Sequence, residues 1–391
     1  VRILTVAGTR PELIKLAPLV PLLDERFEHR YLFTGQHYSK QMVDGLLSGL
    51  PVRRPDHSLE VGCSTRDTLR SAIDVAVADF APDLVLVYGD TNSTLAAAQS
   101  AYAAGIRLIH LEAGVRSFDL SMVEERNRVE IDRLADLRLA PTPLCQWFLT
   151  HLEGYPRGGC PAVGNLGVDA WMMYGVGPAG SEEQASPTVP TGDFALLTLH
   201  RPDTVDRIEI FSALLAEVGR LSLRVLFPVH PRTRKQLDRV DLPSNVELLE
   251  PLAYRSFCSL LRQATVVLSD SGGVQEEAAT AGTPCVTLRP NTDRPESVLL
   301  GMNRLYPPSC GGDLGAVVDA ACRDRALPHH PSPYGDGRAA MRITSILESL
   351  AGREPSVAVD ACLGLAGPEQ LLESAEFILS SVAHRGLRIV G

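Results

Sequence analysis

Glu112 closes an apolar run in the stretch LIHLEAGVRSFDLSMVEERNR, residues 108–128. Gly114 and Arg116 follow it, and twelve positions after Glu112 come Glu124 and Glu125, mixed with Arg126 and Arg128. Carboxylates give up and take protons near neutral pH when their surroundings tune them, and arginines beside them offer ion pairs or a grip on an anion. The sharper reading of the stretch is therefore a proton-transfer cluster beside an anion site. The plainer one is a strand end followed by a solvated helix start. Asp90, in VYGDTNST, also follows an apolar run, and its plainer reading is an N-cap for the next helix.

A second group lies in the other half of the chain. In LSDSGGVQEEAATAG, residues 268–282, a strand is expected to end at Asp270, with Ser271, Gly272 and Gly273 turning into a helix. Free backbone N–H groups at such a helix start, with glycines permitting close approach, suit a diphosphate, and Glu277 one turn on suits ribose hydroxyls. His200 and Arg201 end the run LLTLHR, and His230 ends FPVH. Arg10 and Lys15, in AGTRPELIK, are cations near the end of the first predicted strand. Neither a phosphate loop of the G-x-x-x-x-G-K-[ST] kind nor a G-x-G-x-x-G turn is present, so a tightly held NAD is not expected.

These residues need elements that hold them at strand ends, and the pattern supplies them. Near-continuous apolar runs at 2–8, 31–35, 83–89 and 107–114 alternate with helical patterns at 11–25, 39–49, 93–105 and 124–136. Runs without polar alternation fit a parallel sheet covered on both faces. After a Gly-, Pro- and Ser-rich stretch at 176–193, the pattern restarts at 194–200, 223–230, 245–252, 265–270 and 284–289. The expectation is two doubly wound α/β domains, 1–175 and 176–353, with ligand at the carboxyl ends of the strands and in a cleft between them. A helix over 334–352 is expected to close the second domain. A tail, 354–391, is expected to hold an amphipathic helix within 367–386, with Pro368 in its first turn and Gly386 after its end.

Composition narrows the function classes. A net charge of −10 leaves no excess of cations for general nucleic-acid binding. The 8 scattered cysteines form no C-x-x-C pair, which fits reduced thiols better than a disulfide framework or a zinc site. No apolar run approaches the roughly 18 residues of a membrane span, and the opening VRILTVAG reads as a strand rather than a leader. A cytoplasmic protein without metal or membrane partner is expected.

The motifs GTRPELIKLAPL, TGQH, GDT, HLEAGVRS, EERNR, LHR, HPRTRK, DSGGVQEE and TDRPES stand in the order and approximate spacing of the non-hydrolysing UDP-N-acetylglucosamine 2-epimerase family. The resemblance covers residues 1 to about 353. It implies the GT-B fold of two Rossmann-like domains, a homodimer, a UDP-sugar substrate and no redox cofactor. The implied chemistry removes the C2 proton of the sugar as UDP departs from C1. It leaves 2-acetamidoglucal, then returns UDP with a proton on the opposite face. By motif, Asp90, Glu112 and Glu124 become the acid/base candidates and His200 the group near the departing diphosphate. Arg10, Lys15, His230, Ser271, Gly272, Gly273 and Glu277 become substrate contacts, with Arg294 and Glu296 setting the sugar or its covering loop.

Some positions depart from the family pattern. Val123 replaces a usual proline, Pro202, Asp203 and Thr204 follow His200-Arg201, and Asp293 replaces a glutamate. The segment 36–42 lacks the pattern with which some members bind a second substrate molecule as activator. The rivals are a GT-B glycosyltransferase, a hydrolysing epimerase that releases N-acetylmannosamine and UDP, and a non-catalytic UDP-sugar sensor.

Overall fold

The structure, a computed structural model, describes residues 1–35, 53–59, 66–175, 192–324 and 332–352. The segment 36–42, most of the stretch 176–193 and the helix expected at 367–386 lie outside these residues. The chain divides into two units, one formed by Val1–Ala170 with the chain from Tyr334 onward, the other by Trp171–Pro333.

The first unit is built on β1 (Arg2–Ala7), β2 (Glu28–Phe33), β3 (His57–Ser58), β4 (Leu84–Tyr88), β5 (Arg107–Leu111) and β6 (Leu137–Leu139), in the order β3-β2-β1-β4-β5-β6. The second is built on β7 (Phe194–Thr198), β8 (Arg224–Pro228), β9 (Val246–Leu249), β10 (Val266–Ser269), β11 (Cys285–Thr287) and β12 (Asn303–Leu305), in the order β12-β11-β10-β7-β8-β9. All strand pairings in both sheets are parallel. Counted from its own first strand, each sheet has the Rossmann order 3-2-1-4-5-6. The order reverses between β1 and β4 and again between β7 and β10, and a ligand crevice belongs at the carboxyl ends there.

The sequence of β1 shows why its run has no polar alternation. Ile3 and Ala7 face one cluster, with Leu13, Leu16 and Ile343, whereas Leu4 and Val6 face another, with Leu69, Ile73 and Ala97. Both faces are covered, so both parities are apolar. The second unit has its own core, in which Leu197, Phe211, Phe227 and Leu268 are buried.

Two expectations change. The helix predicted over 11–25 is two, Arg10–Leu16 and Val20–Arg26. Pro18 lacks the N–H that a continuous helix would need there, and Pro21 is accommodated in the first turn of the second helix. The helix near 334–352, Ala339–Leu350, does not close the second unit. Its Ala339, Ala340, Ile343 and Leu347 complete the core that holds Ile3 and Leu16. Asp169 caps its start, accepting from Ala339 and Ala340 N–H at 3.1 and 2.8 Å, and Arg26 donates to Glu348 near its end at 2.5 Å. Among the described residues no helix is long and apolar enough to cross a membrane, and Cys145, Cys160, Cys258, Cys285 and Cys322 are unbridged.

Candidate active site

Tyr88 and Leu111 are register partners at the ends of β4 and β5, so Asp90 and Glu112 stand just beyond two adjacent strands. Asp90 is not the helix cap. Thr91 takes that place, its hydroxyl accepting from Thr94 N–H at 3.2 Å, and the Asp90 carboxylate pairs with Arg128 at 2.5 Å. Glu112 is the first residue past β5 and sits at φ +71°. A left-handed backbone at a residue with a Cβ costs about 1–3 kcal/mol and persists only where its surroundings enforce it. The Glu112 side chain is 8% exposed and its Oε1 lies 3.4 Å from Lys15 Nζ, which also stands 5.5 Å above the Tyr88 ring.

Glu124 and Glu125 open the helix Val123–Leu134 but do different things. Glu125 is buried and committed: it accepts from the N–H groups of Ser117 and Phe118 at 2.9 and 3.0 Å, and from Arg128 at 3.0 Å. Glu124 is half-buried and makes no hydrogen bond or ion pair with the described residues. Glu125 thus holds the loop, and Glu124, the one of the two that the motif singled out, remains the acid/base candidate.

Arg10 begins the first helix, half-buried. Glu12, which the sequence reading passed over, is fully buried beside it, accepting from Gly8 N–H at 2.6 Å and from the Thr9 hydroxyl at 3.0 Å. Burial pushes its carboxyl up to about 7, Asp90 nearby adds to this, and the donors from Gly8, Thr9 and Thr91 only partly oppose it. Gly8 must be glycine, because a Cβ there would lie 2.6 Å from Ser93 Cβ.

In the second unit the ends of β7 and β10 meet. Asp270 is fully buried and accepts from His200 N–H at 3.0 Å and Arg201 N–H at 2.9 Å, while its Oδ1 lies 3.1 Å from the His200 ring. Burial alone would raise this carboxyl, but the His200 ring and the backbone donors outweigh it and hold it below the ordinary aspartate range. His200 is thereby oriented with its ring 40% exposed. The His230 ring lies 5.5 Å from it, and His230 Nδ1 accepts from Arg232 N–H as the cap of the helix Pro231–Leu237.

Ser271 is the N-cap residue of the helix Gly272–Ala281, with Gly272 and Gly273 in its first turn as the sequence predicts. Glu277 is half-buried and hydrogen-bonded by the Tyr254 hydroxyl, whose phenol is driven up by burial and by that carboxylate. Arg294 and Glu296 are buried at 6% and 1% exposure. Arg294 is engaged with Glu276 and, at 3.4 Å, with Asp293.

Two sheets of Rossmann order, each with polar side chains gathered at its switch point, define a protein of the GT-B class. A profile of the UDP-N-acetylglucosamine 2-epimerase family matches residues 22–348, and this chain belongs to that family. It is 34% identical over 363 residues to the UDP-N-acetylglucosamine 2-epimerase of Methanococcus maripaludis, covering 88% of this chain and 97% of that protein. It is 32% identical over 365 residues to the UDP-2,3-diacetamido-2,3-dideoxy-D-glucuronate 2-epimerase of Pseudomonas aeruginosa, covering 89% of this chain and 100% of that protein. The crystal structure of Methanocaldococcus jannaschii UDP-GlcNAc 2-epimerase in complex with UDP-GlcNAc and UDP superposes with a TM-score of 0.80 at 32% identity, over 89% of this chain and 100% of that one.

Proposed function

We propose that this chain is a non-hydrolysing 2-epimerase that interconverts UDP-N-acetylglucosamine and UDP-N-acetylmannosamine. The observation that carries the reading is the placing of Asp90 and Glu112 at adjacent strand ends, each beside a cation, Arg128 and Lys15. A carboxylate takes the C2 proton while the C1–O bond breaks and its electron pair leaves with UDP. The glycal double bond forms between C1 and C2. Return of UDP to C1 with a proton delivered to the other face of C2 completes the inversion. Two faces of one carbon require two proton-handling groups or one that relays through water, and Asp90, Glu112 and Glu124 supply them. His200, held by Asp270, stands by the departing diphosphate. Arg10, Lys15, His230 and the Ser271–Gly273 turn hold phosphates, Glu277 holds ribose, and Arg294 and Glu296 brace the segment beside the sugar. The protein acts as a cytoplasmic homodimer.

The test is proton NMR of the purified protein with UDP-N-acetylglucosamine in D2O. UDP-N-acetylmannosamine carrying deuterium at C2, without free sugar, is the expected result. Free N-acetylmannosamine with UDP would make it a hydrolysing enzyme. An unchanged spectrum would remove this substrate and turn attention to other UDP-sugars.

A further inference from the structure

Asp132 lies in the helix Val123–Leu134 and is fully buried. Three donors converge on its carboxylate: His110 Nδ1 at 2.6 Å, Gly114 N–H at 3.1 Å and Arg116 Nη2 at 2.6 Å. These come from residues on either side of Glu112. The other His110 ring nitrogen, Nε2, donates to the Gly89 carbonyl at 2.8 Å, the carbonyl of the peptide that links Gly89 to Asp90. Gly89 N–H in turn donates to Leu111 O at 3.1 Å, immediately before Glu112. Both His110 nitrogens therefore face oxygens that accept, and one buried group ties together the backbones that carry two acid/base candidates.

The rest of the helix repeats the theme. Glu124, Arg128 and Asp132 are spaced i, i+4, i+8 and share one face. Along that face Glu124 is a candidate acid/base, Arg128 grips the Asp90 side chain, and Asp132 grips the turn around Glu112. Gly114, at φ +77°, lets this turn pass where a Cβ would lie 2.5 Å from Cys145 O. Arg116 is itself fixed from the far side by Glu153, at 2.6 Å from its Nε. Of this set only Arg128 reaches an acid/base candidate directly, whereas Asp132 and His110 act on residues that flank Asp90 and Glu112 in the chain.

We propose that Asp132 is a positioning residue for proton transfer, holding Glu112 in its left-handed conformation through Gly114 and Arg116 and the Gly89–Asp90 peptide through His110. The proposal rests on the reading of Glu112 and Asp90 as acid/base groups. None of the groups assigned to the UDP moiety, Arg10 and Lys15 included, is among the three donors on Asp132.

The experiment is Asp132→Asn, which keeps the shape and an acceptor but removes the charge that holds three donors. A displacement of about 1 Å at a reacting group costs on the order of a hundredfold. The expected result is thus a kcat lower by about that factor, with KM and calorimetric UDP affinity within about threefold of wild type. A crystal structure of the variant should show Glu112 out of its left-handed region or the Gly89 carbonyl turned. Should Asp132→Asn fail to fold, His110→Gln, which breaks the imidazole bridge between Asp132 and the Gly89 carbonyl, is expected to lower kcat about tenfold with KM unchanged. A folded variant with near-normal kcat would overturn the proposal, as would a loss shared equally by UDP affinity, the mark of general disruption. Inactivity of the wild-type protein on UDP-N-acetylglucosamine would instead sink the functional reading. The crystallographic position of Glu112 in the variant would then decide the positioning claim by itself.

Discussion

At the scale of single residues, neighbours in the chain have opposite duties, and substitutions should separate them. Glu112→Gln is expected to lower turnover by about 10² to 10⁴, the usual contribution of a general acid or base, with UDP affinity within a few-fold. Near-normal turnover would remove Glu112 from the chemistry. Asp90→Asn should likewise suppress turnover, whereas Thr91→Ala should chiefly cost about 1 kcal/mol of stability through the lost cap. Kinetics and chemical denaturation of the pair would show whether the duties divide in this way. Glu12 gives a pH signature. Its folded carboxyl is raised from 4.5 to about 7, so the folded state binds more protons than the unfolded one between those values. The contribution is full below about pH 4.5 and lost as pH rises toward and past 7, amounting to about 3 kcal/mol. Glu12→Gln should therefore lose less stability than wild type between pH 5 and 8, read from urea midpoints across that range. An unchanged pH slope would mean that Glu12 does not titrate there. Sequence could pick out Asp90 and Glu112 as carboxylates after apolar runs, and Glu124 only through the motif in which it stands. It passed over Glu12 and saw Asp270 only as a strand end, since what these two do comes from burial and from donors that only the folded backbone brings.

At the scale of elements, the helix Val123–Leu134 is the piece that turns sequence into a site. Its spacing of Glu124, Arg128 and Asp132 was on view in EERNRVEIDR, but helical charge at i, i+4 usually marks a solvated face. Only the burial of Arg128 and Asp132 distinguishes this one. The long strands were legible for a physical reason: both faces of β1, β4, β7 and β10 are covered, so they read as apolar runs. The short strands β3, β6 and β12 were not, since two or three residues carry no periodicity. The turn after β5 is where the element is most constrained. Gly114→Ala combines a left-handed φ with contact against Cys145 O, and overpacking of this kind costs about 1–3 kcal/mol. Because the same turn carries Glu112, Gly114→Ala should lose turnover even at temperatures where circular dichroism shows it fully folded. Full activity in the folded variant would show that the turn tolerates displacement.

At the scale of the whole molecule, the chain leaves the first unit after Ala170, builds the second, and returns at Tyr334. Order along the sequence suggested that the last described helix belongs to the domain preceding it. Its apolar positions do not say which core they enter, because Ala339, Ala340, Ile343 and Leu347 would suit either. The polar fastenings settle it: Asp169 caps its start and Arg26 pairs with Glu348 near its end, and both partners lie in the first unit. A residue far along the sequence should therefore control the stability of the sheet that bears Asp90 and Glu112. Leu347 is 1% exposed among Ile3, Leu16 and Leu23, and truncating a buried leucine costs about 2–5 kcal/mol. In Leu347→Ala, hydrogen exchange followed by mass spectrometry should speed up in β1 and β2. The strands β7, β8 and β10, whose core contains none of these residues, should keep their protection. Equal acceleration in both sets would mean that the two units unfold as one. Acceleration confined to β7, β8 and β10 would return the helix to the second unit, where sequence order had placed it.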